Sequence, residues 1–172
     1  MNHNELMKLI NNEELEVVEL PLNGELKGLY SDDIIAINKN IDTYIDTYTE
    51  KTCVLAEELG HYYTSVGDIL DQSKIENRKQ ELKARRWAID KLIRVEDFID
   101  AFKAGVQNRS ELAEFLDVAE KFIEIALDHF KGIYGYSHTI GEYTICFDPL
   151  VVYKSFELSL IHISEPTRQA EI

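Results

Sequence analysis

Three residues in one stretch have the types and the spacing to do chemistry: Glu57, Glu58 and His61. They lie in Thr49–Thr64, which reads as one helix. Val54, Leu55, Leu59 and Tyr62 recur at helical spacing, and Thr47 with Glu50 makes a candidate capping box. Residues four apart stack on a helix face, so Glu57 and His61 can aim at one point with Glu58 beside them. A carboxylate and an imidazole so placed can hold a divalent ion, and a neighbouring carboxylate can act as a general base. The pattern is His-Glu-x-x-His with Glu57 standing where the first His belongs.

A plainer reading competes with it. The chain carries 32 Asp and Glu in 172 residues, so a Glu-x-x-His pattern arises easily by chance on a solvated helix face. The flanks argue the other way: Cys53-Val54-Leu55-Ala56 precedes the pair, and Leu59, Tyr62 and Tyr63 surround His61. Carboxylates set so closely among core residues are expected to be half-buried, and buried carboxylates need partners or a metal. Cys53, four residues before Glu57, can share that face, although a free Cys on an apolar face is usually core.

A three-ligand site needs one more donor. The following helix, expected over Ile75–Arg94 behind a Ser73–Glu76 cap, has Glu81, Ala84 and Ala88 at i, i+3 and i+7. Small residues on that face allow close approach to another helix, which would carry Glu81 with them. The competing reading of Glu81 is a surface pair with Arg85, and periodicity alone favours it.

Around these helices the chain alternates simply. Residues 3–12 read as a helix with Leu6, Leu9 and Ile10 inward, and Val17–Leu20 as a strand ended by turn chemistry at Pro21–Gly24. Leu29-Tyr30 and Ile34–Ile37 read as a hairpin about Ser31-Asp32-Asp33. After the two central helices come a helix over Val95–Ala104, with Phe98, Ile99 and Phe102 inward and Gly105 as its stop, and a strong helix start at Asn108–Glu111. The latter helix turns Leu112, Phe115 and Leu116 inward, breaks at Asp117-Val118-Ala119, and is followed by a helix over Glu120–Lys131 closed by Gly132. The helical pair spanning 105–132 resembles a helix-turn-helix, but its second helix is acidic or apolar, so packing or partner binding is expected rather than base reading. His129 is expected at a helix end rather than as a ligand. Tyr134–Ser137 reads as a turn, Tyr143–Phe147 as a strand ended by Asp148-Pro149, and Val151–Tyr153 as a further strand. The expected class is α+β: a small N-terminal antiparallel sheet, the motif helix, and a mostly helical C-terminal part.

Leu55–Tyr62, then Glu81-Leu82-Lys83-Ala84-Arg85-Arg86-Trp87-Ala88, then Glu111–Leu116 and Tyr134-Gly135, resemble the ImmA/IrrE family of metallo-endopeptidases from about Leu29 to Phe156. The resemblance implies a zincin-like fold and a Zn²⁺ site in which His61 is the second ligand, Glu81 the third and Glu58 the base. Glu57 takes the first ligand's place. An oxygen donor there weakens the preference for zinc, so Mn²⁺ is the alternative metal. The resemblance also implies a protein substrate, a helix-turn-helix repressor of a phage or mobile element. The substituted Glu57 keeps a second function open: a catalytically inactive module of the same fold that engages a repressor or another regulatory protein. For the oxyanion stabiliser, Tyr136, His138 and Tyr143 are the candidates.

Composition narrows the partners. Apolar content of 45% is globular, and a net charge of −14 argues against direct nucleic-acid binding. Two Cys, no membrane-length apolar run and no signal peptide point to the cytoplasm. A single domain is expected over 1–157. Residues 158–172, Leu158–Ile172, look like the translation of a sequencing-library adapter and are expected to be a non-native tail, so His162 receives no role.

Overall fold

The computed structural model of the chain describes residues 1–23, 26–40, 47–64 and 75–155. The Ser73–Glu76 cap, the Thr47 capping side chain and the tail 158–172 lie outside the described residues. The elements run α1 (His3–Asn12), β1 (Glu16–Leu20), β2 (Gly28–Ser31), β3 (Ile34–Asn38), α2 (Thr47–Thr64), α3 (Ile75–Leu92), α4 (Asp97–Lys103), α5 (Arg109–Leu116), α6 (Glu120–Tyr134), β4 (Ser137–Ile140), β5 (Tyr143–Phe147) and β6 (Leu150–Lys154). The class is α+β and zincin-like, as expected.

Local chemistry explains the boundaries. Asn2 and Glu5 close a reciprocal capping box on α1. Asp32 and Asp33 both take positive φ, the conformation of a two-residue hairpin turn that matches strand twist, and join β2 to β3 in antiparallel register. Asn108 caps α5 by accepting from the Glu111 amide, and Asp117 in the left-handed region ends that helix.

The N-terminal sheet has the order β1-β3-β2. The expected antiparallel hairpin is there, but β1 joins it on the other side of β3 and runs parallel to it, Val17 opposite Ile35 and Val18 opposite Ala36. The connection from Pro21 onward reverses the chain without pairing β1 to β2, which leaves β3 central. That is why Ile35, Ala36 and Ile37 are consecutively buried rather than alternating.

The C-terminal part holds more sheet than expected: β4, β5 and β6 form an antiparallel meander. Ser137-His138-Thr139-Ile140 carries little strand signal of its own. It is strand because β5 pairs with it, with Thr139 and Thr144 hydroxyls 3.0 Å apart. Gly132 does not close α6; the helix continues to Tyr134, and Gly135 at positive φ ends it. Phe102 and Phe115, expected inward, are 43% and 44% exposed, whereas Phe98, Ile99, Leu112 and Ala113 are buried.

One apolar core runs through the molecule, from Leu6 and Ile10 of α1 through Val54, Leu55 and Leu59 of α2 to Ile89, Phe98, Ile123, Phe130 and Phe147. Its tightest seam joins α2 to α3. Ala84 and Ala88 are fully buried, and a Cβ added at Gly60 would lie 2.3 Å from the Ala84 carbonyl oxygen. The two helix backbones touch there, as the Ala84–Ala88 spacing implies. Glu13 of the α1 end accepts from the hydroxyls of Tyr62 and Tyr63, and Tyr63 stacks on Trp87 at 5.0 Å, so the end of α2 is held to both neighbours.

Gly60→Ala forces a methyl group into backbone that cannot yield. It is expected to lower unfolding free energy by about 1–3 kcal/mol in chemical denaturation. Gly132→Ala is the control: an added Cβ meets nothing within 4 Å inside α6, so it is expected to raise stability by roughly 0.5–1 kcal/mol. Equal effects of the two substitutions would refute the contact argument.

Candidate metal centre

The helix seam decides which side chains meet. Gly60 lets α3 close on α2, and the next residue, His61, then faces Glu81. His61 Nε2 lies 3.1 Å from Glu81 Oε2. That is hydrogen-bond distance, and it is also close to the roughly 3.3 Å that separates two donors on one tetrahedral zinc.

Glu58 is buried, 9% exposed, beneath the N-terminal sheet. A Cβ added at Gly28 of β2 would lie 2.6 Å from Glu58 Oε1 and 2.6 Å from Val54 Cγ1. Only a glycine permits the strand to pass so close. The Tyr30 amide, two residues on, donates to the Glu58 carboxylate. β2 therefore roofs and orients Glu58, a role that an apolar strand pattern does not announce.

Glu57 faces α3 as well, where it meets a cation. Arg85 Nε is 3.6 Å from Glu57 Oε1, and Arg85 Nη2 donates to Glu81 Oε1 at 2.8 Å. Glu81 thus does both things that its sequence allows, using one oxygen for His61 and the other for Arg85. Arg85 Nε is buried and has no hydrogen-bond partner. Among the described residues no group of three His, Cys, Asp or Glu converges as around a bound ion. His61 and Glu81 are the two donors that meet and could hold a divalent ion between them; Glu57, one helical turn from His61, is the third donor the sequence offers, here beside Arg85.

The electrostatics follow from burial. Burial pushes the Glu58 carboxyl up to about 7, the His61 charge opposing and the Glu57 and Glu81 charges assisting. Burial raises Glu57 too, with Arg85 pulling against it. For His61, burial opposes the charged form, but the Glu81 hydrogen bond and the carboxylates around it outweigh burial and raise its pKa. Glu81 is held below the usual carboxylate range, first by its hydrogen bond to His61, against its own desolvation.

The remaining candidates sit elsewhere. Cys53 is buried, accepts from the Ala119 amide at 3.4 Å, and has its thiol pushed up to about 12 by burial, which is core behaviour. His129 pairs with Asp90 at 2.9 Å. Tyr136, His138 and Tyr143 belong to the C-terminal part, under Lys131, on Tyr134 and beside Phe102 respectively. A cavity of about 710 Å³ opens between α4, α5, α6 and the C-terminal sheet. The candidate residues lie at the α2–α3 seam instead, and of the charges at the cavity Arg109 pairs with Glu124 and Asp148 with Lys131. Arg85, Gly28 and the Tyr30 amide are the site features beyond the motif residues. Only Arg85 had a signal, its i+4 spacing from Glu81.

Glu58 gives a pH test on metal-free protein. Its folded pKa lies above the ordinary 4.5, so its stability contribution is full below 4.5 and is lost as pH rises through about 7. The loss amounts to on the order of 3 kcal/mol, and His61 changes in the same direction. Urea unfolding in a chelator at pH 5 and pH 8 is expected to show Glu58→Gln gaining on the native chain at the higher pH. A pH-independent difference would mean that Glu58 ionises freely.

Residues 12–128, more than half of the chain, match the family model described as the IrrE N-terminal-like domain, Peptidase_M78. No curated protein and no solved structure matches the chain. No helix among the described residues is long and apolar enough to cross a membrane. A divalent metal, typically zinc, is what such a peptidase family implies, and the matched span contains every residue of the α2–α3 seam. The chain belongs to the ImmA/IrrE family of metallopeptidases.

Proposed function

We propose that the chain is a metal-dependent endopeptidase acting on a protein substrate, with Glu57, His61 and Glu81 as ligands and Glu58 as the general base. The supporting observation is the meeting of His61 and Glu81 at 3.1 Å from two helices, with the buried Glu58 on the same helix as His61. Zn²⁺, or Mn²⁺ given the oxygen-rich donor set, supplies a Lewis acid that polarises the scissile carbonyl and acidifies a water.

Glu58 does the proton work. Its carboxylate takes the proton of the attacking water and returns it to the leaving amine. In the metal-free chain burial raises this carboxyl, which makes it a stronger base than an exposed Glu. The Tyr30 amide fixes the carboxylate, and the close passage of Gly28 shields it from solvent. His61 is oriented by the surrounding carboxylates, and Glu81 is kept ionised by His61 and Arg85.

The substrate class that the family resemblance suggests is a helix-turn-helix repressor, and the cytoplasm is where it would be met. A second reading rests on one observation, the pairing of Glu57 with Arg85. A ligand carboxylate engaged by a guanidinium suits a module that binds a repressor without cutting it.

Glu58→Gln is expected to lower cleavage of a repressor encoded beside this chain by about a hundredfold to ten-thousandfold while leaving bound metal unchanged. Glu57→His restores the common ligand set and is expected to raise both zinc content and cleavage. Stable repressor binding with no cleavage by either the native chain or Glu57→His decides for the binding module.

A further inference from the structure

Arg85 contacts both prospective carboxylate ligands. Its Nη2 holds Glu81 Oε1 at 2.8 Å, and its Nε stands 3.6 Å from Glu57 Oε1. That Nε is buried without a hydrogen-bond partner. A guanidinium at the surface has no reason to bury an N–H unsatisfied, since water would serve it. Here the two carboxylates hold it in place. Burial raises the need of Glu57 for a positive neighbour, and α3 supplies one, four residues beyond Glu81, on the same helix face.

We propose that Arg85 is a built-in competitor for the metal: it holds Glu57 and Glu81 in the metal-free chain, and a divalent ion binds fully only when Glu57 exchanges the guanidinium for it. The inference rests on the ligand set proposed above. Two cations cannot share the same pair of carboxylates at close range without repulsion, so each weakens the other's hold. The coupling is reciprocal: what Arg85 gains from Glu57 the ion must displace. Metal loading thereby becomes conditional on the release of Glu57 by Arg85.

The probe is Zn²⁺ alone, titrated into native protein against a chromophoric chelator, with thermal unfolding followed in chelator and in zinc. Arg85→Gln is expected to bind Zn²⁺ about tenfold or more tightly than the native chain, within the range usual for coupled sites. It is also expected to show a lower unfolding temperature in chelator and a larger rise on adding zinc. Arg85→Lys keeps the charge and is expected to stay near the native affinity. Should Arg85→Gln fail to fold, Arg85→Met keeps the apolar stem and carries the same expectation. Unchanged or weaker zinc binding in the neutral variants, with the native chain still binding zinc, overturns the competition and leaves the peptidase reading intact. Zinc binding by none of these, nor by Glu57→His, overturns the ligand set and the competition with it.

Discussion

The backbone contact between Gly60 and Ala84 is the constraint on which the rest of the site depends. Helices ordinarily keep their axes 8–10 Å apart because side chains stand between them. Removing the Cβ of Gly60 and shrinking its opposite number to Ala84 lets main chain meet main chain. Across that seam the Glu81 side chain of α3 meets the His61 imidazole of α2 at 3.1 Å. Ala88, one turn further, keeps the approach close past the contact point. The His61–Glu81 pair thus sits beside a point where side-chain bulk is missing from both helices, and bulk added at the seam would displace it.

A second close approach works the same way from the other side. Gly28 sets β2 against Glu58 and Val54, so one face of α2 is sealed by sheet while the next is sealed by α3. Glu58 loses water to the first contact, and His61 and Glu81 lose part of theirs to the second. The shifts that follow diverge: a carboxyl raised to about 7 beside one held below its ordinary range. Both groups are Glu on neighbouring helices. Environment separates them: for Glu58 burial outweighs the Tyr30 amide and the His61 charge, whereas for Glu81 the hydrogen bond to His61 and the Arg85 charge outweigh burial.

Much of this was legible in the sequence. The α2 and α3 periodicities, the Glu57–His61 spacing and the Ala84–Ala88 face placed the helices and their contact. Asn108 announced α5 through a cap that a side chain alone completes. What stayed hidden was non-local. β1 runs parallel to β3 because of where a loop returns the chain, and no residue within the strand encodes that. β4 has a polar sequence and becomes strand through pairing with β5. Phe102 and Phe115 are apolar at inward spacing, yet short helices leave little interior to receive them. Gly132 looked like a stop because glycine often is one; the φ that ends α6 belongs to Gly135.

Glu81 shows how far periodicity can reach. Spacing offered a salt bridge to Arg85 or a role at His61 as rival explanations for one carboxylate. A carboxylate has two oxygens, and here each takes one partner: Oε1 the guanidinium, Oε2 the imidazole. The rivalry dissolves at Glu81 and reappears at Glu57, which Arg85 Nε approaches to 3.6 Å. Substituting Glu for the first His of the motif thus changes more than a donor atom. A neutral imidazole has no strong attraction for a guanidinium, whereas a half-buried carboxylate does. With Glu57 at that position the proposed donor set is oxygen-rich, and Arg85 has a second anion beside it as well as Glu81.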